Sequence, residues 1–112
     1  MRGEAVSKIA ISSQNGILFL ELNEIMYGEA SNNYTKIIVT DGRTLIISKT
    51  LRDVQRVLEQ SHFLRIHRQY IINLNYVTHF NRNDSIVTMD NLTTLPVARN
   101  QKDRLIEKYR WL

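Results

Sequence analysis

The chain has no cysteine, one proline and four glycines in its 112 residues. Without cysteine there is neither a disulfide framework nor a thiolate metal site, which removes zinc fingers and leaves stability to packing alone. So little proline and glycine excludes a collagen-like or low-complexity chain. No run reaches the roughly 18 apolar residues that a membrane-spanning helix needs. Met1-Arg2-Gly3-Glu4 also lacks the apolar centre of a secretory leader. These absences lead us to expect a cytoplasmic protein with no membrane partner. Carboxylates are missing over a long interval too, with none between Glu59 and Asp84. That interval holds Arg65, Arg68 and Arg82 together with His62, His67 and His79, so a one-signed basic surface is expected there.

What is present describes an ordinary globule. The hydrophobic fraction of 43% and charged fraction of 23% suit one compact domain, and we expect residues 1–112 to form it. A net charge of +4 and a pI near 9.6 are compatible with a polyanionic partner, although a basic face also serves solubility.

Periodicity along the chain predicts a mainly β fold. Ile9-Ala10-Ile11 and Ile17 to Leu20 flank a turn at Ser12 to Gly16, which reads as a hairpin. Ile25-Met26-Tyr27 reads as a short strand and Gly28 to Asn33 as mostly loop. Tyr34 to Thr40 and Arg43 to Ser48 flank Asp41-Gly42, which predicts a hairpin with a type I′ turn. Thr50 with Asp53 forms an N-cap signal, and Leu51, Val54, Val57 and Leu58 recur on one face of a helix from about Leu51 to Glu59. Phe63 to Ile66 and Tyr70 to Ile72 are β-like, and the chain turns or bulges between them, presenting His67, Arg68 and Gln69 outward. Val77 to Phe80, Ile86 to Met89 and Thr93 to Val97 form a meander, with Pro96 at a strand end or edge. A terminal helix carrying Leu105, Ile106 and Tyr109 follows Asn100. With no closely spaced helix pair and no heptad run, any base-reading groups must sit on loops or strand ends.

Enzyme signals are absent. There is no phosphate-cradling Gly-rich loop, no nucleophile elbow and no His-Glu-x-x-His pair, and the three histidines fit no metal spacing. We expect no catalytic residues, metal or cofactor. The groups able to contact a polyanion are Arg65 and Arg68, the Asn32 to Thr35 strand entrance, and the cations Lys49, Arg52, Arg56, Arg99 and Lys102. Taken alone, the Asn32 to Thr35 groups are more often turn-formers, and Lys49, Arg52, Arg56, Arg99 and Lys102 are plain surface charges by default. An RNA or single-strand binder is the main rival to a duplex binder. Tyr27, Phe63, Tyr70, Phe80 and Trp111 lie mostly within apolar runs, which disfavours a stacking platform. A histidine-based metal hydrolase lacks carboxylate partners, and a protein-interaction module stays open.

The chain resembles the LytTR family, the DNA-binding module of LytR/AlgR-type response regulators, from about Leu20 to Arg110. The anchor is Phe63-Leu64-Arg65-Ile66-His67-Arg68-Gln69-Tyr70-Ile71-Ile72-Asn73, similar to the family's F-x-R-x-H-R-S-Y-I-V-N. Ile25 to Tyr34 is similar to I-x-y-x-E-A-x-x-N-Y, and Ser48-Lys49-Thr50-Leu51 and Leu95-Pro96-Val97-Ala98-Arg99 follow in family order. Gln69 and Ala98 stand where serine is usual. The resemblance implies an elongated fold of small antiparallel sheets, with one mid-chain helix and a C-terminal one, that inserts loop residues into successive major grooves. It implies base reading by Arg68, Arg99, Asn33 and Thr35, and phosphate contacts from Arg65, His67, Ser48, Lys49 and Tyr34. It further implies transcription regulation from double-stranded DNA, on repeated half-sites, by two copies pairing as a homodimer on DNA. Family members often carry a receiver domain; fewer than about thirty residues precede the resemblance, far below ordinary domain size. The chain then reads as either a stand-alone regulator or the effector half of a two-component response regulator.

Overall fold

The computed structural model describes residues 6–59 and 61–112. Among the described residues, ten strands and two α-helices form a slab measuring 45 × 40 × 24 Å, long in two directions and thin in the third. Its centre is an antiparallel five-stranded sheet of β3 (Ile25–Ser31), β4 (Tyr34–Val39), β5 (Thr44–Ile47), β6 (Phe63–His67) and β7 (Tyr70–Asn73), in the order β5-β4-β3-β7-β6. One face is covered by the hairpin β1 (Lys8–Ser13) and β2 (Gly16–Glu21) and by helix α1 (Leu51–Leu58). The other is covered by a three-stranded sheet, β8 (Val77–Asn81), β9 (Ile86–Met89) and β10 (Thr94–Pro96), with helix α2 (Lys102–Glu107).

Period-two alternation sends successive side chains of the central strands to the two cores. Ile71 packs with Leu20, Ile25, Leu51 and Leu58, while its neighbour Ile72 packs with Val87, Met89, Leu95 and Leu105. Fully burying one such aliphatic side chain contributes about 1.5 to 3 kcal/mol, so both faces of this sheet are tied down by many residues. The predicted meander and the edge placement of Pro96 are found, since β10 pairs only with β9. Thr50 caps α1 by accepting from the Asp53 amide at 3.3 Å.

Three expectations are corrected. Gly28 to Ser31 is strand rather than loop, because β3 is paired by β4 on one side and β7 on the other, and these ladders outweigh the polar composition. Gly28 is closely packed there: a Cβ would sit 3.1 Å from Ile71 Cγ2 and 3.3 Å from Ile37 Cδ1, so both side chains would have to give way slightly. The β4–β5 hairpin is present, but only Gly42 takes positive φ, at 95°, whereas a type I′ turn requires it at Asp41 as well. Instead the Gly42 amide bonds to the Val39 carbonyl and the Asp41 carboxylate accepts from the Arg43 amide at 3.0 Å. The Arg43 backbone amide first, and then the Arg43 guanidinium, hold the Asp41 carboxyl below its ordinary pKa. Finally, Val57 is 62% exposed, so the buried stripe of α1 is only Leu51, Val54 and Leu58.

Candidate nucleic-acid interface

The strand registers bring most of the sequence-predicted polar groups to one end of the central sheet. Ser31 pairs with Tyr34 around the β3–β4 turn, Thr35 with Ile47 just before Ser48 and Lys49, and His67 with Tyr70 around the β6–β7 turn. Glu29 pairs with Tyr70, and the Ala30 amide donates to the Gln69 carbonyl at 2.9 Å, so the first and last of these turns are bonded together. The Ala98 amide donates to the Ile66 carbonyl at 2.7 Å, which brings Arg99 to the same end.

The β6–β7 turn owes its shape to a bulge. Register shifts between Arg65 and His67, leaving Ile66 as the extra residue, and the chain reverses through Arg68 and Gln69. Both of these are exposed, as predicted. His67 is only partly exposed: its ring lies 5.9 Å from the Tyr70 ring, and its Nδ1 accepts from the Gln69 amide at 3.1 Å. That bond requires Nδ1 to be unprotonated in the neutral ring, so the proton sits on Nε2, leaving a donor for an external acceptor. The Tyr70 phenol is pushed above its ordinary pKa by burial first and by the charges of Glu29 and Tyr27 next, and stays protonated at neutral pH.

Arg65 occupies a different place from its neighbours. Its Nη1 donates to Gln55 Oε1 on α1 at 3.2 Å and its Nη2 donates to the Arg68 carbonyl. Its Nε is buried with no partner among the described residues. Two of its five N–H donors are therefore spent inside the protein, tying the turn to α1, and a third is buried. Thr35 differs more sharply from expectation. It is completely buried and its hydroxyl donates to the Lys49 carbonyl at 2.8 Å. It cannot reach a base edge; its work is to fix the backbone of Lys49. Asn33, Ser48, Lys49 and Arg99 are exposed, as is Tyr34 at 50%. Asn32, at the start of the β3–β4 turn, adopts a left-handed φ of 56° that asparagine tolerates better than most residues.

A groove of about 380 Å³ runs between the β6–β7 turn and the start of the C-terminal helix. Arg65, His67 and Arg68 line one wall, and Asn100, Gln101 and Arg104 line the other. Sequence reasoning missed Arg104, Gln101 and the anchoring Gln55. The spacing of three between Gln101 and Arg104 puts them on one helical face, but nothing in the sequence shows that this face meets Arg68.

No described helix is long and apolar enough to cross a membrane, and no cluster of three metal-ligating side chains occurs among the described residues.

Residues 15–110 match the family model for the LytTr DNA-binding domain. The chain belongs to the LytTR family. This LytTR domain is 32% identical over 104 residues to the heme-containing CO-sensing transcriptional regulator RcoM 1 of Paraburkholderia xenovorans, covering 89% of the chain and 39% of the relative. It is 24% identical over 102 residues to the sensory transduction protein LytT of Bacillus subtilis, covering 88% of the chain and 42% of that protein. The chain thus spans about two-fifths of the length of these relatives. Among solved structures it resembles the LytTr DNA-binding domain of a methyl-accepting/DNA response regulator from Bacillus cereus. The TM-score is 0.75 at 21% identity, with 93% of this chain and 97% of the other covered, a likeness of fold. The LytTR domain is a DNA-binding module, and the mainly β architecture of small antiparallel sheets with two helices is the family's.

Proposed function

We propose that this LytTR domain binds double-stranded DNA sequence-specifically and reads the major groove with loop residues, as the effector of a transcription regulator acting in the cytoplasm. The observation that carries this reading is the gathering of exposed Asn33, Tyr34, Ser48, Lys49, Arg68 and Arg99 at one end of one rigid sheet. Groups that must meet successive phosphates and base edges need a shared, fixed frame, and hydrogen-bonded strand ends provide it.

Arg68 and Arg99 take the base-reading role, because an exposed guanidinium can donate bidentately to the O6/N7 pair of guanine, with Asn33 as the third contact. His67 through Nε2–H, Ser48, Lys49 and Tyr34 hold phosphates and supply the salt-dependent affinity. Arg65 and Thr35 act behind them, holding the Arg68 and Lys49 backbones. Two copies bind repeated half-sites and pair as a homodimer on DNA, with signal input from a receiver or other sensory domain where one is fused. Spanning successive grooves from one face favours sites that bend cheaply.

Competition between duplex DNA, single strands and RNA tests the class of ligand. Duplex should displace a labelled cognate duplex best. Equal or better displacement by single-stranded DNA or RNA contradicts the reading. The burial of Tyr27 and Phe63 removes two of the rings a stacking platform would use.

A further inference from the structure

We infer that the groove between the β6–β7 turn and the C-terminal helix seats one backbone phosphodiester of the duplex, with Arg104 as its principal contact. This rests on the duplex-binding reading above and adds a site on a different element. Three arginines and a histidine line the groove, and no carboxylate does. Ion pairs among the described residues are confined to Arg43–Asp41 and Arg56–Asp53, so Arg104 faces the other cations without a counter-charge. Like charges gathered without a carboxylate repel one another, and an anion between them removes that cost.

The walls are pre-set. Arg65 is bonded to Gln55 and to the Arg68 carbonyl, so it contributes positive potential with one N–H of each Nη held inside the protein. His67 offers Nε2–H because its Nδ1 accepts the Gln69 amide. On the facing wall Leu105, 1% exposed, locks the rotation of α2, and Tyr109 bonds the Leu74 carbonyl at 2.8 Å beyond it. Arg104, next to Leu105 on the chain, is exposed and reaches the groove together with Asn100. A phosphodiester there accepts from Arg104 and His67 at once, between the turn carrying Arg68 and the strand exit carrying Arg99. The C-terminal helix thereby becomes a DNA contact as well as a cover for the core.

The test uses cognate duplexes in which single phosphates are replaced by neutral methylphosphonates, with the salt dependence of binding measured alongside. For the wild-type domain, one substitution beside the Arg68-contacted base pair should lower affinity. In Arg104→Ala that one penalty should shrink to what the His67 contact supplies while the penalties at other phosphates persist in full, and the slope of log K against log salt should fall by about one. Arg104→Lys should keep the slope. Because Arg104 is exposed and unpaired, Arg104→Ala should melt with the wild type, separating a lost contact from a lost fold. If the wild type binds and Arg104→Ala keeps every penalty and the full slope, the seat is overturned and the duplex reading stands. A wild type with no affinity for duplex overturns both.

Discussion

The Arg65 guanidinium donates to the backbone carbonyl of Arg68, three residues ahead of it across the β6–β7 turn, and to Gln55 on α1. A side chain that could face a ligand thus serves as an internal strut, and the exposed Arg68 is presented by the turn it braces. Hydrogen bonds from charged donors are worth about 1.5 to 3 kcal/mol, enough to fix a two-residue turn. Arg65→Ala should therefore lower thermal stability and weaken discrimination between cognate and scrambled duplexes, while leaving the salt slope near the wild-type value. Lys49→Ala should do the reverse, lowering the slope by about one and weakening all sequences alike. A fall in slope for Arg65→Ala equal to that of Lys49→Ala would show Arg65 to be a phosphate ligand after all.

Thr35→Val keeps the shape of a fully buried side chain but removes the donor to the Lys49 carbonyl. We expect a loss of about 0.5 to 1.5 kcal/mol, the net worth of a hydrogen bond whose acceptor lies on the exposed Lys49. Chemical denaturation checks the stability. Cognate affinity should fall as well, since the Lys49 backbone loses its tether; a variant as stable as wild type would contradict the assignment.

Gly28→Ala tests the packing beneath the β3–β7 pair. The added methyl meets the Ile71 and Ile37 side chains at 3.1 and 3.3 Å, so both must yield. Overpacking of this size costs about 1 to 3 kcal/mol. A gain in stability on urea denaturation would mean that the two isoleucines relax freely.

Tyr109 supplies a pH signature. Burial pushes its phenol up to about 12. The unfolded chain titrates near the ordinary tyrosine value of about 10. A folded pKa above the unfolded one gives stability that is complete below about 10 and lost as pH rises towards about 12. Absorbance titration should show a late-ionising tyrosine that disappears in Tyr109→Phe. Identical late phases in both proteins would reject the assignment.

Much of this organisation is legible in the sequence. The Phe63 to Asn73 stretch announces two strands and an outward turn, because its apolar alternation breaks at His67-Arg68-Gln69. Thr50 and Asp53 mark the start of α1, and Pro96 marks an edge. Less legible is whatever depends on partners distant in sequence. Composition makes Gly28 to Ser31 look like loop, yet two neighbouring strands hold it as the centre of a sheet. Thr35 and Arg65 look like surface ligands because local sequence does not reveal that the Lys49 carbonyl and Gln55 lie in reach. Arg104 is hidden for the same reason, since its groove forms only when α2 docks beside the β6–β7 turn. The family resemblance places the proposed contacts on these turns, and the coordinates show which of those side chains are exposed and which are bonded inside the protein.

The central claim is that Arg68 and Arg99 read bases from a frame whose other contacts hold phosphates. Fluorescence anisotropy on cognate and scrambled duplexes, at matched salt, tests it most directly. Arg68→Ala and Arg99→Ala should each cost about 1 to 3 kcal/mol on the cognate duplex, with a much smaller loss on the scrambled one, so that preference relaxes. Equal losses on both duplexes would contradict base reading and reduce these arginines to phosphate contacts.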